Sequence, residues 1–211
     1  TDTTSSAVEG AIFSGLVKVD KTLNFVPDLA RSWKVSRNGL IWTFSLRKDV
    51  YWHDGRKFTA DDVKFTFDTI LNPKVNSVRR GDYIIDGEPI RFKVVDKYTI
   101  RAYLPKPFSP FLGAAGMGML PKHLLEGKEL DMAKFNSNPV GTGPFIFVEY
   151  KTGDHVLAKR NPDYYGGAPK LKEIMYKIIP DENTRLVALR SGDIDSSDIP
   201  PKDFRTIKGV Q

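Results

Sequence analysis

His53 and Asp54 sit side by side, and a second acidic pair, Asp61-Asp62, follows a few residues on. An imidazole next to a carboxylate is the starting material for general acid–base catalysis or a metal site, and a secreted hydrolase using His53 and Asp54 is the enzymatic alternative it raises. Either chemistry needs partners that converge. His123 and His155 lie far off in the sequence, and no two histidines have the i, i+4 spacing of a helical ligand pair. The plainer reading is a turn at Asp54-Gly55 and a helix start capped by Asp62. With no cysteine there is no thiolate, no disulfide and no zinc knuckle, and no GxSxG elbow is present. No pair of acids is singled out at glycosidase separation. The residues give no ground for an enzyme, so no catalytic residue, no metal and no cofactor is expected.

Glycine runs raise a second chemistry, the phosphate cradle. Gly113-Ala-Ala-Gly116-Met117-Gly118 lacks GxGxxG spacing, and Gly141-Thr-Gly-Pro144 lacks the Lys-Ser/Thr of a P-loop. Its proline also removes an amide donor that an anion would need. Each run reads more simply as backbone that packs closely or takes positive φ. Trp33, Trp42 and Trp52 raise a stacking platform for sugars or bases. Trp42, inside an alternating strand, is expected in the core; Tyr51 and Trp52 face opposite ways, so only one of them can be buried.

The elements that must carry these residues follow from periodicity. Ser6 to Glu9 has capping-box spacing, and Val8, Ile12 and Leu16 recur every four residues, which predicts a short N-terminal helix. Leu40, Trp42, Phe44 and Leu46 alternate as a half-buried strand, and Val50 to His53 forms a second strand fragment ending at Asp54-Gly55. Thr59 and Asp62 cap a helix whose Val63, Phe67, Ile70 and Leu71 share a face until Asn72-Pro73 stops it. Arg91 to Val95 and Tyr98 to Leu104 read as a hairpin. The small, apolar stretch from Gly113 to Pro121 reads as a buried connection. Phe145 to Tyr150, Val156 to Lys159 and Leu171 to Ile179 read as strands, and Asp181 caps a helix that ends at Gly192. Strands and helices mix without a βαβ rhythm, so the fold class is α/β in the mixed α+β sense, with two packed subdomains.

The 211 residues, 40% hydrophobic and 27% charged, have a folded composition, and no stretch has the roughly 18 apolar residues of a membrane span. Net charge is +6, spread as +3, +2 and +1 over residues 1–60, 61–140 and 141–211. Nucleic-acid binders concentrate such charge, whereas the densest pair here is Arg79-Arg80, so no nucleic-acid partner is expected.

Several blocks together resemble one family, and they cover essentially the whole chain in order. They are Pro27-Asp28-Leu-Ala-Arg-Ser-Trp33, Asn38-Gly-Leu-Ile-Trp-Thr-Phe-Ser-Leu-Arg47, Trp52-His-Asp-Gly55 and Phe58-Thr-Ala-Asp-Asp-Val63. They continue with Pro139-Val-Gly-Thr-Gly-Pro-Phe145, Arg160-Asn-Pro-Asp-Tyr-Tyr-Gly-Gly167, Ile179-Pro-Asp181 and Leu189-Arg-Ser-Gly-Asp-Ile-Asp195. The chain is similar to the extracellular solute-binding protein family 5, the oligopeptide, dipeptide and nickel binding proteins of ABC importers.

The resemblance implies the first lobe of a periplasmic-binding-protein type II-like bilobal fold with an inserted subdomain. Residues 1–13 and 121–211 would be the core of that lobe, residues 14–120 the insert, and the second lobe would lie outside this chain. The implied function is substrate capture for an ABC permease, by a monomer, with a peptide ligand and no covalent step. The implied location is the periplasm or the outer face of the cytoplasmic membrane, with lipoprotein anchoring as one option. Extended backbone at Thr1, Asp2, Thr3 and Thr4 would hold the peptide main chain, and the acid that pairs with the peptide amine would belong to the second lobe. Arg79 and Arg80 would either meet a peptide carboxylate or form a solvated basic turn. Gly116 and Met117, where the insert returns, would give an adaptable side-chain pocket, unless Met117 and Met119 are simply core. Nickel carriage is the weaker branch, because no histidine falls in a segment assigned to the cleft. A third class is a module that docks on a permease or another receptor.

Overall fold

The computed structural model describes residues 3–128, 135, 137–200 and 202. Helix α1, Thr3–Ile12, opens the chain, and a two-stranded hairpin follows, β1 (Val17–Val19) with β2 (Phe25–Pro27). Thr3 and Thr4 therefore lie in helix, which corrects the expected extended run there. The helix also starts ahead of the Ser6 capping signal: α1 is placed by packing against a sheet, with Ala11 in a core beside Phe145, and local spacing does not fix its end.

A four-stranded antiparallel sheet in the order β3-β4-β8-β7 forms the first body. Its strands are β3 (Ala30–Val35), β4 (Ile41–Leu46), β7 (Arg91–Asp96) and β8 (Thr99–Tyr103). Alternation in β4 works as expected, with Phe44 and Leu46 buried. Trp42 packs edge-on to Phe111 at 5.5 Å and against Phe44 at 6.4 Å, at the margin of the core. The expected strand at Val50 to His53 shrinks to a single bridge, Tyr51 to Lys57, because the chain turns back at once through Asp54-Gly55. Trp52 is the buried member of its pair and Tyr51 the exposed one.

Helix α2, Ala60–Leu71, lays Val63, Phe67 and Ile70 on this sheet, and Phe67 stacks on Phe92 with ring centroids 3.9 Å apart. Asp62 closes its first turn by accepting from the Thr59 N–H at 2.9 Å. Beyond α2 comes a tight turn at Arg80–Tyr83, then β5 (Ile84–Ile85) with β6 (Glu88–Pro89). The stretch expected as a buried connection, Gly113 to Pro121, starts inside a single helical turn, α3 (Phe111–Ala114), whose Phe111 is buried with Ala115 and Met119. A second turn, α4 (Lys122–Leu125), follows.

The second body is a three-stranded antiparallel sheet, β11-β10-β9, from β9 (Phe145–Lys151), β10 (His155–Arg160) and β11 (Glu173–Lys177). Ile174 and Tyr176 pack on a small core of Ala11, Phe145 and Ala158. Helix α5, Glu182–Ser191, follows; Asp181 accepts from the Thr184 N–H at 2.7 Å, and Gly192, at φ 79°, ends the helix. The larger apolar cluster has its buried residues within 16–119, with Val140 and Tyr165 packed against it, and is separate from the small one.

Candidate functional site

The glycine runs turn out to be where remote backbone segments touch. At Gly141, an added Cβ would lie 1.9 Å from the Ile12 carbonyl oxygen, and at Gly143 it would lie 2.5 Å from that of Ala11. Gly143 donates its N–H to Ile12 at 2.8 Å, and its carbonyl accepts from the Asn161 amide at 3.2 Å. Such spacing admits no side chain, and the Gly141 and Gly143 amides are engaged by His53 and Ile12.

His53 fastens the same seam. Its Nδ1 accepts from the Gly141 N–H at 3.3 Å, which puts the ring proton on Nε2, 3.0 Å from the Gly143 carbonyl. Both ring nitrogens are thus engaged with backbone. Asp54 bonds instead to His123 Nε2 at 2.6 Å, and Asp62 accepts from the Lys122 N–H at 3.2 Å. No base is poised against a nucleophile in this cluster, and the pairs read as ties between segments.

Burial lowers the His53 pKa below its ordinary value, and the signs then follow. Above pH of about 6.5 the ring is neutral in both folded and unfolded chain, and the clasp contributes fully. As pH falls below that value the unfolded chain takes up a proton that the folded ring resists, so stability is lost until the folded pKa is passed. The slope is at most about 1.4 kcal/mol per pH unit, and less for a half-buried ring. Melting temperature measured from pH 7.5 to 5 should fall more steeply for the natural protein than for a His53→Asn variant.

A pocket of about 520 Å³ opens on one side of this seam. It is lined by Gly10 of α1 and the segment after it (Phe13, Ser14, Gly15), by Val17, Lys18, Val19 and Phe25 of the β1–β2 hairpin and the following Asp28, and by Gly113 to Met117 apart from Ala115. Arg79, Asp82, Tyr83, Pro144 and Tyr164 complete the wall. Two of the lining segments pack main chain on main chain: an added Cβ at Gly15 would meet the Gly116 carbonyl oxygen at 2.2 Å, and Leu16 N–H donates to the Ala115 carbonyl at 2.9 Å.

Tyr83 sets the far side. Its ring lies edge-on to Phe67 at 5.1 Å, and its hydroxyl donates to the Ala114 carbonyl at 2.8 Å with Met117 Sδ 3.7 Å away. Burial pushes this phenol's pKa up, so it remains a donor at any ordinary pH. Tyr83→Phe should cost about 1 kcal/mol in urea denaturation, the net worth of one buried hydrogen bond.

Of the residues singled out in the sequence, Arg79, Gly116 and Met117 meet in this pocket. Met117 is half-buried, whereas Met119 is core. Arg80 points elsewhere: its Nε and Nη2 donate to the carbonyls of Ile70 and Asn72, at 3.4 and 2.6 Å, and also to that of Val75. The Ile70 and Asn72 carbonyls end α2, so Arg80 closes the helix, as a cation near a C-terminus does. Thr1 and Asp2 lie outside the described residues. Sequence reasoning missed Tyr83, Lys18 and Asp28 as pocket residues; only the alternation of Val17-Lys18-Val19 gave any sign that Lys18 faces away from the core. None of the three histidines lines this pocket.

A family model described as bacterial extracellular solute-binding proteins, family 5 Middle, matches residues 24–210, and the chain belongs to that family. It is 34% identical to oligopeptide-binding protein AppA of Bacillus subtilis, over 98% of this chain and 38% of the relative. The solved structure of that AppA in complex with a nonapeptide superposes with a TM-score of 0.89 at 32% identity, covering all of this chain and 42% of that one. NikZ from Campylobacter jejuni in complex with Ni(L-His) gives 0.86 at 39% identity, covering 95% of this chain and 40% of that one. The mixed α/β architecture is therefore that of family 5 binding proteins, and its members are binding proteins and not enzymes. The chain spans about two-fifths of the length of the relatives it matches.

Proposed function

We propose that this chain is the first-lobe portion of an extracellular peptide receptor that delivers its ligand to an ABC permease. Residues 14–120 form the inserted subdomain and residues 1–13 with 121–211 the core, a division supported by two apolar clusters that part near those boundaries. The observation that carries the peptide reading is the pocket at the exposed backbone of Gly116, beside the adaptable Met117 and the exposed Arg79. An open main chain can meet a peptide main chain, and an arginine can meet its carboxylate. Similarity to a nonapeptide-bound AppA supports it further. The receptor works as an exported monomer, by closure of two lobes on the ligand and without a covalent step.

A second reading, a nickel–histidine complex as cargo, is favoured by the likeness to NikZ. It requires the chelate to bring its own nitrogen ligands, since no histidine lines the pocket. Calorimetry on the full-length gene product separates the two. A micromolar trialanine isotherm and none with Ni(II)–L-histidine supports the peptide; the reverse overturns it.

A further inference from the structure

The pocket carries two cations and two acids, and the four are not held alike. Lys18 Nζ lies 3.6 Å from Asp28 Oδ1, with side chains 51% and 6% exposed. Arg79 Nη1 lies 3.5 Å from Asp82 Oδ2, with side chains 63% and 48% exposed. Both ion pairs are long, and both cations stand largely in solvent, where such pairs contribute little.

The acids differ from the cations in what remains when a pair opens. Asp28 already accepts a shorter bond from the Tyr165 hydroxyl at 2.6 Å, and Tyr165 is held in turn by the Arg47 guanidinium, 5.1 Å above its ring. Burial, with the Asp28 charge beside it, pushes the Tyr165 phenol up, so it keeps the proton it donates. Asp82 is half solvated. When its cation leaves, each acid keeps a partner: Asp28 the Tyr165 hydroxyl, and Asp82 the solvent. Asp28 has no such freedom: it is buried, with its Oδ1 taken by Tyr165, and cannot advance to meet a ligand ammonium.

We propose that Lys18 acts beside Arg79 as a specificity-determining cation of this pocket, swinging from Asp28 to the carboxylate of an entering ligand, with Tyr165 keeping Asp28 satisfied. The inference rests on the peptide reading above and narrows it: the pocket takes the carboxylate end of the peptide, beside the apolar wall of Phe25 and Met117.

The test compares trialanine with trialanine amide by calorimetry on the full-length gene product, natural and with Lys18→Met or Lys18→Arg. The natural protein should prefer the free acid by at least about tenfold, the order of one ionic contact. Lys18→Met should bring that preference to within about threefold without lowering the melting temperature, since Lys18 is exposed; Lys18→Arg should restore it. Should Lys18→Met lower the melting temperature, Lys18→Gln replaces it. An acid-over-amide preference that Lys18→Met leaves intact overturns the role of Lys18 while the peptide reading stands. If the natural protein binds neither peptide, the peptide reading is at fault and the inference falls with it.

Discussion

Replacing Gly141 with alanine is expected to destabilise the protein by more than about 3 kcal/mol, an effect at the level of a large core truncation. The added Cβ would lie 1.9 Å from the Ile12 carbonyl oxygen and 2.7 Å from its carbonyl carbon. Those atoms are main chain, so no rotamer change relieves the clash, and α1 would have to withdraw from the seam. Withdrawal would strain the Gly143 N–H bond to Ile12, and a shift of Gly141 instead would strain its N–H bond to His53 Nδ1 and the His53 N–H bond to its carbonyl at 2.9 Å. Gly153→Ala is the control. It sits in the β9–β10 turn at φ 73° with nothing near its Cβ, so it carries only the backbone cost, about 1 to 2 kcal/mol. Urea denaturation of both variants gives the comparison, and a Gly141→Ala cost no larger than that of Gly153→Ala would contradict the close approach.

The second large effect concerns binding. The 211-residue chain alone should bind trialanine at least about 100-fold more weakly than the full-length gene product. A micromolar site represents about 8 kcal/mol, and ligand sites of this strength enclose about 70–90% of the ligand surface. The pocket described here is one open wall of about 520 Å³. Closure, and the acid that the resemblance places in the second lobe, would both be missing. Matching affinities for chain and full-length product would show that one lobe suffices.

Where the physics was local, the sequence could be read closely. Thr59 with Asp62, and Asp181 with Gly192, carry their capping chemistry in adjacent residues, and both helices form where that chemistry puts them. The alternation of Phe44 and Leu46, and of Ile100 and Ala102, likewise survives because each strand buries one face. The candidate site was legible only in part. Arg79 and Arg80 are neighbours of one type, and which of them faces the pocket depends on how α2 ends, with Arg80 drawn onto its last carbonyls. Tyr83 joins Met117 across 34 positions, and Tyr165 reaches Asp28 across 137. No period or motif encodes such distances. The glycines at 116, 141 and 143 announced close packing but not its partner, because the partner is backbone from a remote segment.

The central claim is that a peptide lies against the wall formed by Gly15, Gly116 and Met117. Methyl NMR of the methionines in the full-length gene product tests it most directly, since Met117 lines the pocket and Met175 stands exposed on the outer strand β11. With the Met117 signal assigned through a Met117→Leu variant, titration with trialanine should shift the Met117 methyl saturably and leave Met175 in place. A saturable binding isotherm with the Met117 methyl unmoved would mean that the ligand sits elsewhere.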